Sequence, residues 1–185
     1  MRAVVVHESL FGNTARIAEA IAEGIADARP DAEVECLSLA NAAGDVGRPD
    51  LVVAGGPTHF FGMTSKRTRA MQDRYRRSAA QRELTGPDQG RPAPGPGLRE
   101  WLAGLSAAVP GARAAAFDTR LDKPLAGGAA PRIAHRLARL GYQLAADPEG
   151  FIVEDMAGPL RAGELERARA WGAGLAERIA AASPL

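Results

Sequence analysis

An α/β fold, with a parallel sheet between helices, is what this 185-residue chain predicts. Three features carry that expectation. Short apolar, β-branched runs are bounded by polar loops, as strands buried on both faces require. Segments of helical periodicity alternate with them, the pattern of parallel strands joined by crossover helices. The first such run passes through a turn containing Gly12 and Asn13 straight into a helical pattern.

The elements follow in chain order. Residues 3–7 are the first strand, and residues 9–14 a turn. In the helix that follows, Ile17, Ile21 and Ile25 recur every four residues with Ala18 and Ala22 beside them, and Pro30 ends it. Residues 33–39 form a second strand in which Val34 and Cys36 alternate before Leu37 breaks the pattern. Residues 51–54 are a third strand running into Gly55, Gly56, Pro57 and Thr58. Residues 64–78 read as a helix with Thr64 or Ser65 as its cap, and the Pro- and Gly-rich residues 85–97 as a loop. A helix at 98–105, a fourth strand at 112–117 and a helix at 129–140 come next, the last with Gly141 as its stop. The fifth strand, 142–153, is broken or bent around Pro148, Glu149 and Gly150. A final amphipathic helix, 160–182, turns Leu165, Ala168, Trp171 or Gly172, Leu175 and Ile179 inward. There is no internal repeat and no second domain: residues 1–185 read as one unit, with a basic, Pro- and Gly-rich segment at about 64–97 inside it.

Composition bounds the function. With 46% apolar and 24% charged residues the chain belongs to the globular class, not the disordered one. Cys36 is the only cysteine, so neither an internal disulfide nor a thiolate metal cluster can form. The first apolar run is too short for a signal-peptide core, and no run is long enough to span a bilayer. A soluble, cytoplasmic protein is expected, without membrane contact. Residues 66–99 hold nine Lys or Arg against three Asp or Glu, so the rest of the chain is net acidic. A solvated helix face is the bland account of Lys66, Arg67, Arg69, Arg74, Arg76 and Arg77. Docking on an acidic partner, or on a phosphorylated molecule such as the 2′-phosphate of NADPH, is the functional one. Nucleic acid is not expected, because Tyr75 is the one stacking residue among these cations.

In open α/β sheets, ligands sit beyond the carboxyl ends of the strands, where the strand order reverses. The turn Ser9-Leu10-Phe11-Gly12-Asn13-Thr14 lies at such a place. Free amides at a helix start attract an anion, and the macrodipole adds roughly 0.3–1 kcal/mol. Ser9, Asn13 and Thr14 add side-chain donors, and Gly12 permits close approach. The alternative is a plain turn in which Ser9 and Asn13 only cap. A Walker-type site is disfavoured by the lack of a Gly-Lys-Ser/Thr sequence, and no dinucleotide fingerprint is present.

The stretch from Val5 to Ile21 resembles the flavodoxin fingerprint: an apolar strand end, a hydroxyl residue opening the loop, a small residue two before threonine, then Ala15 and Ile17 on the helix. His7 departs from it, standing where the family usually has tyrosine or phenylalanine, and Phe11 replaces a threonine of the family's phosphate loop. The resemblance is specific in residues 4–21 and 55–62. It implies a flavodoxin-like three-layer sandwich with a five-stranded parallel sheet of order 2-1-3-4-5, helices on both faces, and flavin mononucleotide (FMN) at the switch point. It also implies that the loop with Pro57, Thr58, His59, Phe60, Phe61 and Gly62 wraps the flavin ring. Phe60 or Phe61 would pack on the ring or plug the sheet edge, His59 would donate a proton or be solvated, and the backbone near Gly62 would face flavin N5.

The third loop by this resemblance is Asp118-Thr119-Arg120. Asp118 and Thr119 would meet the pyrimidine edge, and Arg120 would sit near O2; the bland alternative is that Arg120 is solvated or pairs with Asp122. The family's stacking tyrosine is missing here, since no aromatic residue lies between Phe117 and Tyr142. Three functions stay open at this level. One is an electron-transfer flavoprotein serving a reductase and an acceptor. Another is an FMN-dependent NAD(P)H:quinone oxidoreductase acting on a small quinone. The last is a non-redox scaffold or regulatory module that has lost flavin. No catalytic protein residue and no metal site is expected.

Overall fold

The computed structural model describes residues 1–39, 41–42, 46–58, 97–122 and 128–182. Six strands and four helices lie among them: β1 (Arg2–His7), α1 (Asn13–Ala28), β2 (Glu33–Ser38), β3 (Leu51–Pro57), α2 (Leu98–Gly104), β4 (Arg113–Leu121), α3 (Ala130–Arg139), β5 (Gln143–Leu144), β6 (Glu149–Val153) and α4 (Glu164–Ala182). Every strand pairing is parallel, in the order β2-β1-β3-β4-β5, with β6 also on β4. The expected helix at 64–78, the loop at 85–97 apart from Gly97, and most of the basic segment lie outside the described residues.

The expected fifth strand is present in two pieces. β5 pairs with Arg113 and Ala114, and β6 with Phe117 to Leu121. Residues 145–148 face only Ala115 and Ala116 of β4, so the strand leaves the ladder there. The break comes earlier than expected. Pro148 lies in it, having no N–H to give, but Glu149 and Gly150 are already paired in β6.

Side-chain alternation divides the core into two layers. Val4, Val6, Val52, Ala54, Ala114 and Ala116 point to α2 and α3, meeting Leu98, Trp101, Leu102, Ile133 and Leu137. Ala3, Val5, Leu51, Val53, Ala115 and Phe117 point the other way, to Ile17, Ile21 and Ile25 of α1 and Ala168, Leu175 and Ile179 of α4. The apolar runs of β1, β3 and β4 are continuous because both faces of these central strands are covered. Of the alternatives on α4, Gly172 is the buried one, while Trp171 is half-buried, edge-on to Phe151. Helices α1 and α4 touch backbone to backbone: a methyl at Gly24 would overlap the Arg169 carbonyl, and one at Gly172 would overlap the Ile21 carbonyl.

Gly141 ends α3 as expected, at φ 93°. Its N–H bonds to the Ala138 carbonyl at 3.0 Å and that of Tyr142 to the Leu137 carbonyl at 3.2 Å, the paired closure of a Schellman motif. No helix among the described residues is long and apolar enough to cross a membrane.

Candidate functional site

The order reverses between β1 and β3: the chain runs from β1 outward to β2, then returns to place β3 on the other side. The carboxyl ends of β1, β3 and β4 therefore share one edge, where α1, α2 and α3 begin.

Those helix starts differ. At α2, Glu100 accepts the Gly97 N–H at 2.8 Å and Glu8 accepts the Leu98 N–H at 3.1 Å. At α3, Thr58 Oγ1 and Asp118 Oδ2 accept the N–H groups of Ala129 and Ala130, each at 2.9 Å. Helix α4, further along, carries Glu164 and Glu166 in its first turn. Helix α1 has no side-chain cap and no acid in its first turn. Gly12 precedes it at φ 83°, a left-handed conformation that glycine adopts without penalty. The first bond runs from the Arg16 N–H to the Gly12 carbonyl at 3.1 Å. The Asn13, Thr14 and Ala15 amides thus lie outside the helical ladder. Ser9 Oγ is buried nearby without a hydrogen-bond partner among the described residues.

The loop's other side chains are placed less freely. Leu10 is buried, leaving its backbone for a ligand. Thr14 is also buried, and its hydroxyl shares a 2.8 Å hydrogen bond with that of Thr119. Asn13 Nδ2 donates to the Ala157 carbonyl at 3.0 Å. Phe11 is half-buried.

The third loop is corrected. Asp118, Thr119 and Arg120 are not a loop after the fourth strand but part of β4, which runs on to Leu121. Asp118 lies opposite Gly56 and Gly150, and Thr119 opposite Pro57 and Phe151. Both are buried, held by pairing on both sides that outweighs the polarity that made them read as loop. Arg120 does not pair with Asp122 either. Its Nε lies 3.7 Å from Asp118 Oδ1, and its guanidinium lies over Gly150, where a methyl would overlap it. Asp122 instead accepts from Arg161 Nη1 at 2.8 Å.

β3 also runs further than expected, through Gly55 and Gly56 to Pro57. The Phe117 ring fills the place of a side chain at Gly55. Thr58 follows, its N–H bonded to the Thr119 carbonyl at 2.9 Å. His59, Phe60, Phe61 and Gly62 lie outside the described residues.

Two buried groups at this edge titrate abnormally. Burial pushes the Asp118 carboxyl above its ordinary value, against the opposing pull of the Ala130 N–H, Arg120 and the Thr58 hydroxyl. Burial lowers His7 from 6.5 to about 4, so its ring is neutral at pH 7.

The sequence reading missed two contributors. Glu8 sits beside the loop it had recognised, but nothing local says that a strand-end acid will cap a helix ninety residues on. The turn at 155–158 carries a visible Gly-Pro signal, yet only the fold shows that it faces Asn13.

Neither a known family's sequence profile nor any curated protein matches the chain. Solved structures do. An archaeal flavodoxin is 20% identical, with 97% of this chain and 99% of that one covered at a TM-score of 0.56. Flavodoxin 1 of Bacillus cereus is 15% identical, with 96% and 98% covered at 0.63. A flavodiiron core from Synechocystis is 15% identical at 0.63; 99% of this chain matches 37% of that larger one. With the strand order and the two-sided core, these likenesses identify the architecture: the chain has the flavodoxin-like fold.

Proposed function

We propose that the chain binds FMN at the carboxyl edge of its sheet and carries electrons between a reductase and an acceptor protein. The observation behind this reading is the open start of α1. Carboxylates of the chain itself stand at the starts of α2, α3 and α4, while among the described residues α1 is left with amides outside the helical ladder, a left-handed glycine and a buried Ser9 hydroxyl without a hydrogen-bond partner. That donor set fits a phosphate dianion, which needs several N–H and O–H donors and no competing carboxylate. FMN, when bound, supplies the redox chemistry.

The chain's residues bind and orient it. Ser9 and the amides of residues 13–15 would hold the phosphate, with Gly12 allowing close approach. Thr14 and Thr119 fasten α1 to β4 and fix the aim of those amides. Pro57 and Thr58, at the end of β3, would stand on the side toward the ring. Asp118 and Thr58 secure the start of α3 beside it. Arg120 brings a cation to the same edge, partly offset by Asp118.

The visible spectrum of the purified protein tests this, repeated after FMN is added and the excess removed. Two flavin bands that stay with the protein are expected. A protein that retains no flavin and quenches no FMN fluorescence would overturn the reading. Steady NAD(P)H oxidation with a quinone and no added reductase would replace the carrier by an oxidoreductase.

A further inference from the structure

The side chain of Asn13, in the first turn of α1, reaches the chain segment after β6. Its Nδ2 donates to the Ala157 carbonyl at 3.0 Å. Gly158, at φ 101°, packs so closely that a methyl there would stand 2.5 Å from Asn13 Nδ2 and 2.8 Å from its Oδ1. The turn is itself ordered: the Gly158 N–H bonds to the Asp155 carbonyl and the Glu154 N–H to the Pro159 carbonyl, both at 2.9 Å. Its far side is tied to the chain leaving β4, because Arg161 reaches Asp122 at 2.8 Å and Glu154 at 3.1 Å. One hairpin thus spans the phosphate loop and the end of β4.

We propose that Asn13 is a positioning residue, which clamps the 155–158 turn onto the first loop and makes that turn an additional wall of the phosphate site. The proposal rests on the FMN reading for its ligand. Asn13 sets where the helix-start amides stand relative to the turn, and Gly158 is the close-fitting partner that holds its amide in place.

Asn13→Ala, Gly158→Ala and the double variant test it, titrated with FMN and with riboflavin, which lacks the phosphate. Each single substitution is expected to weaken FMN binding by about tenfold, the loss of one positioned charge-assisted contact. Riboflavin affinity should stay within about twofold, and the double variant should be no worse than the weaker single one, since both act through one contact. Loss of FMN affinity in Asn13→Ala alone, with Gly158→Ala unaffected, would make Asn13 a direct phosphate ligand and overturn the clamp. So would unchanged affinity in both.

Hydrogen exchange of the 156–158 amides in the flavin-free protein provides a second measurement. Asn13→Ala should accelerate it, and unchanged exchange would overturn the proposal. That arm decides if Gly158→Ala misfolds, and also if the wild type binds neither flavin, a result that would end the FMN reading without touching the clamp.

Discussion

Replacing His7 by phenylalanine should remove a pH-dependent weakness from the fold. His7 ends β1 with 8% of its surface exposed, and its Nδ1 has no hydrogen-bond partner among the described residues. Burial alone lowers its pKa from 6.5 to about 4. Because the folded value lies below the unfolded one, the neutral ring's contribution is present above pH 6.5 and is lost as pH falls through 4. Linkage over that interval gives a loss of about 2 kcal/mol between pH 7 and pH 5, approaching about 3 kcal/mol near pH 4. Phenylalanine keeps a ring of similar size and has nothing to protonate. Urea unfolding of both proteins at pH 7, 6 and 5 measures the effect as the difference between them, so the opposite trend from Asp118 cancels. The wild type should fall behind the variant by about 2 kcal/mol more at pH 5 than at pH 7. A gap that stays constant with pH would refute the reasoning, because it would mean that the imidazolium is accommodated in the fold.

Further consequences follow from the same packing. Gly24→Ala should cost about 1–3 kcal/mol in thermal unfolding, because the methyl meets a backbone carbonyl that cannot step aside. Gly174→Ala, on the same pair of helices but with open space around it, should instead stabilise by roughly 0.5–1 kcal/mol. Asp118→Asn keeps an acceptor for the Ala130 N–H and removes a buried charge. With the Asp118 pKa raised, its favourable protonated form is present below the unfolded value and lost as pH rises through the folded one. The variant should therefore melt above the wild type at pH 7, with the gap closing as the pH approaches 4; a gap that widens toward acid would contradict the burial argument. Thr14→Ala orphans the Thr119 hydroxyl and should cost about 1–3 kcal/mol of stability. By loosening α1 it should also weaken FMN binding while sparing riboflavin, and equal losses for the two ligands would rule out a phosphate role.

Where the sequence reading succeeded, one short-range signal sufficed. Burial on both faces makes a strand a run of Val, Ala and Leu, so β1 and the start of β3 were legible, as was the isoleucine stripe of α1. The strand order came from the fingerprint of residues 5–21, not from periodicity. The strand ends were missed because their stability is not local. Gly55 and Gly56 have poor strand propensity and stay in β3 because Phe117 and Leu98 occupy the space their side chains would need. Asp118 looks like a loop residue until the Ala130 N–H is known to meet it. For the same reason the candidate site was read as donors along the chain, while the fold divides them into the open start of α1 and the groups that brace it.

That division can be tested by filling the helix start left open among the described residues. Ala15 occupies the third position of α1, is half-buried, and has no acidic neighbour in the first turn. A carboxylate there, in Ala15→Asp, would face the amides of its own first turn, as acids do at preferred helix starts. The ligand-free protein should gain roughly 0.3–1 kcal/mol in urea unfolding, by the macrodipole alone. A phosphate at the same amides would then stand beside a like charge. At ~5 Å and an effective dielectric of ~20 the repulsion is about 3 kcal/mol per charge, so FMN affinity should fall by at least about tenfold even if part of it is screened. Riboflavin affinity should hold. Stability would rise while phosphate binding fell, which a general disturbance of the loop would not produce. If Ala15→Asp left FMN affinity intact, the phosphate would not lie at the start of α1, and the central assignment would fall with it.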